Sequence, residues 1–150
     1  MALSPQKFRE IVFQLLYSED FGSDAEIVEM LMAQLSVTKR IVRDAYAVKD
    51  KIVEKKKWLD EVIRVHSEQY DFERIPRIER NAIRLGVYEL LYSTDLPPKI
   101  AIAEAIRLTR KFATAEAATF VNAILDSVYK QIAKDTPEAT HVPTLSGLTV

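Results

Sequence analysis

With 150 residues the chain has the length of a single domain, and its 48% of hydrophobic residues is enough for a core of its own. A net charge of −1 excludes a protein that coats nucleic acid by charge alone, so any RNA binding has to come from a local patch. The absence of cysteine excludes disulfides, thiolate metal sites and cysteine nucleophiles, and three glycines are too few for a Gly-rich phosphate loop or for the hairpins of an all-β fold.

The first segment reads as a helix over residues 4–19. Ser4 can cap it, Pro5 suits its first position, and Phe8, Ile11, Val12, Leu15 and Leu16 recur on one face. Beyond Gly22, Ser23 and Glu26 make a capping box for a second helix carrying Ile27, Met30, Leu31 and Leu35. From Val37 an apolar stripe runs through Ile41, Val42, Ala45, Val48 and Ile52, then through Trp58, Leu59, Val62, Ile63 and Val65. It reads as two helices with a break near residues 55–57. An unbroken helix stays open, because neither Pro nor Gly interrupts the stripe.

Residues 71–74 read as a polar connection, and Pro76 restarts the chain. Residues 78–92 make a helix that is apolar nearly all round after Arg84, as the central helix of a domain is. Gly86 inside it costs about 1 kcal/mol relative to alanine, which a close helix–helix contact would explain. Pro97 and Pro98 open the next helix, with Ala101, Ala105, Leu108 and Phe112 inward and Ile102 and Ile106 beside them. Thr114 caps the last helix, whose inner face is Ala117, Val121, Ile124, Leu125, Val128 and Ile132. After Lys134 the periodicity stops, and two prolines and several threonines predict a disordered tail. The fold expected is all-α, about seven helices packed as bundles, with one domain over residues 1–134 and a tail over 135–150.

The N-terminal stretch MALSPQKFRE lacks the apolar core of a signal peptide, and charges interrupt every apolar run before the roughly 18 residues of a membrane span. A soluble, cytoplasmic protein with no membrane partner is expected. His66 lies at a helix end and His141 in the tail, and neither has a partner at metal spacing. No Ser-His-Asp set is recognisable. No catalytic residue, metal or cofactor is expected. Lys49, Lys51, Lys55, Lys56 and Lys57 look like a nucleic-acid patch, but Asp50 and Glu54 interleave with them and two helical turns spread them over several faces. They read as a solvated surface.

The stretch LPPKIAIAEAIRLTRKFATAEAATFVNAILDSV, residues 96–128, carries more information. It closely resembles the C-terminal signature of the NusB family: a Pro-initiated helix, then Lys-Phe, then a Phe-Val-Asn-x-apolar-Leu-Asp helix. IERNAIRLGVYELLY upstream and FREIVFQLLYS near the start resemble the family's preceding helix and its first helix. The similarity runs over residues 7–132. It implies two packed three-helix bundles with an extra N-terminal helix. It also implies a transcription antitermination factor, which binds single-stranded boxA RNA of ribosomal leader transcripts together with NusE, a small-subunit ribosomal protein, and joins an RNA polymerase antitermination complex.

The resemblance also distributes roles. Lys7 and Arg9 lie where the family's first helix touches RNA phosphates; such contacts position RNA without reading it. The same two residues are also explained by a solvated helix face, and Leu3, Ser4, Pro5 and Gln6 leave the family's basic stretch thin. Tyr17 and Phe120 are candidates for stacking on bases, with core packing as the other explanation of each. Phe120 sits one position off the inner stripe, at the edge of the core. Asn122 belongs to the same signature, though an Asn can simply tie a helix. Glu116 lies where the family borders RNA and partner, though the helix dipole alone favours an acid in a first turn.

Glu79 and Arg84 fall on the helix that helps form the family's NusE-binding face, and Arg80, with Arg77, adds positive charge beside them. Ala103 and Ala123 replace a common Asn and Gly of the family pattern. Two other readings stay open: a protein-binding helical adaptor with weak RNA affinity, and a fragment of a ribosomal-RNA cytosine methyltransferase, some of which carry this domain.

Overall fold

In the computed structural model, which describes residues 3–20, 22, 29–30, 33–34 and 36–135, the chain forms two compact units, residues 1–54 and 55–150. The first unit opens as the sequence predicts. The Ser4 hydroxyl accepts from the Lys7 N–H at 3.2 Å, and Pro5 begins α1 (Pro5–Glu19). A second helix, α2 (Lys39–Glu54), packs on it and is started by Thr38, whose hydroxyl accepts from the Ile41 N–H. Ile11, Val12, Leu15 and Leu16 are buried in α1, and Val42, Ala45 and Ile52 in α2. Phe13 is buried as well, which widens the inner face of α1 beyond the predicted stripe.

Lys49 departs from expectation. It is not part of a solvated face: it is 5% exposed, and its ammonium lies 2.8 Å from Glu19 and 2.7 Å from Asp50. Burial works against its charge, but hydrogen bonds to Asp50 and Glu19 outweigh that and raise its pKa above the ordinary lysine value. The lysine therefore crosslinks the two helices.

The second unit holds α3 (Lys56–His66), a 3-10 turn (Phe72–Arg74), α4 (Arg77–Tyr92), α5 (Pro98–Phe112) and α6 (Ala115–Asp135). The helix break falls at Lys55, as the stripe suggested. Helices α4, α5 and α6 pack on one another, and α3 packs on α4 and α6. Residues 81–87 of α4 are all buried, so it is the central helix of this unit. Gly86 permits the approach of its neighbours: a Cβ there would stand 2.8 Å from a Leu125 methyl and 3.4 Å from the Ala105 Cβ. Thr114 caps α6 by accepting from the Ala117 N–H at 3.0 Å.

The described residues contain six α-helices, no strand, and no helix long and apolar enough to cross a membrane. The expected second helix with its Ser23 capping box, and the expected tail, lie outside the described residues apart from residues 29–30, 33–34 and 135. Residues 71–74 differ from the polar connection predicted, because Phe72 is buried.

Candidate functional site

The end of α3 sets up the site. The Ser67 hydroxyl donates to the Ile63 carbonyl at 2.7 Å, and its own carbonyl accepts from the Tyr70 N–H at 2.8 Å, closing a turn. Asp71 then caps the 3-10 turn by accepting from the Glu73 N–H. Phe72 and Ile75 are driven into the core at 6% and 4% exposure. The Phe72 ring is framed by the guanidiniums of Arg64, Arg80 and Arg84, 4.3, 5.3 and 5.9 Å from its centre. With these two pegs inserted, Tyr70 is left outside at 58% exposure.

Phe120 of α6 meets Tyr70 edge to face, with ring centres 5.0 Å apart at 78°. The pair forms one wall of an open groove of about 510 Å³, also lined by Arg74, Glu79, Thr114 and Glu116. Glu79 sits in the first turn of α4 and is half-buried; burial pushes its carboxyl above the ordinary carboxylate range. Glu116 is exposed in the first turn of α6. Asp71 is the third acid of the lining, against Arg74 as its one cation. An aromatic ledge beside carboxylates accepts a nucleobase or a cationic side chain better than it accepts a phosphate.

Three expected residues, Glu79, Glu116 and Phe120, thus share one groove. Asn122 is exposed but outside its lining. Arg80 is half-buried and donates from Nε to the Ile75 carbonyl at 2.8 Å, which fixes the segment under the groove. Arg84 corrects the expectation of a partner-facing residue. It is 4% exposed, donates to both carboxylate oxygens of Asp60 at 2.7 and 2.9 Å, and also donates to Asn81. Its charge fastens α4 to α3, and no surface is left for a partner. Lys7, exposed, and Arg9 and Tyr17, half-buried, belong to α1 of the other unit.

Sequence reasoning missed Tyr70 and Arg74. Neither has a place in a periodic stripe. The available signal was an aromatic in a polar stretch, SEQYDFER, with no helical register to bury it. Among the described residues no group of three or more His, Asp or Glu side chains is placed to hold a metal ion.

The sequence pattern of the NusB family matches residues 6–130. A transcription antitermination protein NusB of Dehalococcoides mccartyi is 36% identical over 135 residues, 89% of this chain and 94% of its own. One from a Nitratiruptor species is 37% identical over 133 residues, 87% of this chain and 95% of its own. Among solved structures, a T. maritima NusB matches with a TM-score of 0.75 at 28% identity, over 95% of this chain and 96% of its own. A crystal structure of the antitermination factors NusB and NusE in complex with dsRNA matches with a TM-score of 0.70 at 28% identity, over 83% of this chain and 95% of the other.

Proposed function

The chain belongs to the NusB family, and from that premise we propose that it is a cytoplasmic transcription antitermination factor, not an enzyme, that binds boxA-type leader RNA together with NusE. The observation that carries the reading is the groove, where Tyr70 and Phe120 form an aromatic ledge beside Glu79 and Glu116. Stacking on such a ledge suits unpaired bases and is worth about 1–3 kcal/mol per base. Glu79 suits a cation of a basic partner such as a ribosomal protein. Lys7, Arg9 and Tyr17 of α1 add phosphate and base contacts, and Asn122 and Glu116 border the RNA. Arg80 supports the partner face by holding residues 75–76 in place.

The test is a titration of a boxA-containing RNA and a scrambled control, with and without NusE, at fixed salt. The expected result is selective binding that tightens when NusE is present. Phe120→Ala should weaken the RNA complex by roughly tenfold, the value of one stack, with the melting temperature followed to separate this from unfolding. Binding to NusE with no RNA preference supports the adaptor reading, which the acidic groove and the sparse basic residues of α1 favour. Binding to neither ligand overturns both.

A further inference from the structure

Cations are placed oddly on α2. Its first turns carry Lys39, Arg40 and Arg43, all exposed, with no acid in the first turn. The positive end of a helix dipole disfavours cations, so the three sit where local physics selects against them. Among the described residues none of them pairs with a carboxylate, and the nearby Asp44 holds neither arginine. This contrasts with Lys49 of the same helix, which is spent on Glu19 and Asp50. In a chain of net charge −1, such a group of cations, unpaired among the described residues, is a local surplus.

The surplus has a definite position in its unit. The bridge from Lys49 to Glu19, the last residue of α1, joins the C-terminal halves of the two packed helices. Lys39, Arg40 and Arg43 thus stand in the half of α2 away from that bridge, as Lys7 and Arg9 stand in the half of α1 away from it.

We propose that Lys39, Arg40 and Arg43 form a track for the phosphate backbone of single-stranded RNA, extending the contact made by the thin basic start of α1. This rests on the RNA-binding reading above. Contacts of this kind supply affinity and a strong salt dependence but no sequence preference.

The experiment measures the affinity of a boxA-containing RNA by fluorescence anisotropy from low to moderate salt. It compares the wild-type chain, the triple variant Lys39→Ala/Arg40→Ala/Arg43→Ala, and the charge-keeping Arg40→Lys/Arg43→Lys. Each cation on a single strand contributes about 0.7 to the log–log salt slope, so the triple variant should lose about two units. A fourfold rise in salt then narrows the gap between wild type and variant by roughly fifteen- to twentyfold. The charge-keeping variant should retain the slope, and discrimination between boxA and scrambled RNA should be unchanged. The triple variant should melt no lower than wild type, since alanine favours the helix and unfavourable charge is removed.

A triple variant with the wild-type slope overturns the proposal while leaving the RNA-binding function in place. If its slope is kept but NusE binding weakens, the patch belongs to a protein and the proposal falls. A wild-type chain that binds no RNA overturns this proposal together with the function it rests on.

Discussion

Asp60 presents both carboxylate oxygens to Arg84, and the side chains are 13% and 4% exposed. Two charges this dry are stable only together, because removing one leaves the other buried without compensation. Asp60→Ala is therefore expected to lower the unfolding free energy by about 3 kcal/mol, read from the midpoint of urea denaturation. Replacing both groups, with Asp60→Leu and Arg84→Met, should recover most of the loss, since well-packed apolar groups substitute for such a pair. A double variant no better than the single one would mean that the guanidinium has a further role. The burial of Arg84 was not legible in the sequence. An arginine next to a hydrophobic run reads as surface until Asp60, on a different helix, is known to reach it. The same holds for Lys49 and Glu19, which are distant in sequence and meet only in the folded unit.

His66 is a second residue whose surroundings set its behaviour. Its Nδ1 lies 2.6 Å from the Ser127 hydroxyl oxygen, and its Nε2 is buried with no hydrogen-bond partner among the described residues. Burial lowers its pKa, with the charge of Glu68 pulling weakly the other way. The folded protein thus keeps the ring neutral where the unfolded chain, at its ordinary value of 6.5, takes up a proton. The stability due to this site is complete above that value and falls as the pH drops through it. Urea unfolding from about pH 7.5 to 5 should show the wild type losing stability faster than His66→Gln. Parallel profiles would assign the loss to other groups.

At the scale of elements, α4 is limited by how closely its neighbours approach. Leu125 is fully buried, so its methyl groups have little room to retreat from a side chain added at position 86. Gly86→Ala gains about 1 kcal/mol of helix propensity but meets an overpacking cost of about 1–3 kcal/mol. The expected net is a loss of roughly 1 kcal/mol, or about 2–4 °C in melting temperature. A higher melting temperature would show that Leu125 repacks freely. Helices were the legible part of this fold, since their signals are local. Ser4, Thr114 and the proline at the start of α5 act within one turn, and the apolar stripes repeat every three or four residues. The connection from α3 to α4 was not legible. Its buried Phe72 and Ile75 follow no period, and what makes them core is the cluster of arginines and helices around them.

For the whole molecule, charge sets how its two proposed ligands depend on each other. A net charge of −1 and a groove with more acids than cations give RNA little general attraction. A basic partner bound at Glu79 would neutralise part of that rim and add its own cations, so each ligand should favour the other. Linkage requires the factor to be the same in both directions: however much NusE tightens RNA binding, RNA must tighten NusE binding equally. The coupling belongs to the partner side of the groove, so Glu79→Gln separates the two ligands. With the variant alone, RNA should bind as tightly as to wild type or slightly tighter, because a negative charge is gone. NusE should bind about tenfold more weakly. Calorimetric titration of each ligand with and without the other closes the cycle. Weaker RNA binding by the variant in the absence of NusE would place Glu79 against a base, by the route through which carboxylates accept from cytosine amino groups, and would move the partner's contact elsewhere on the unit.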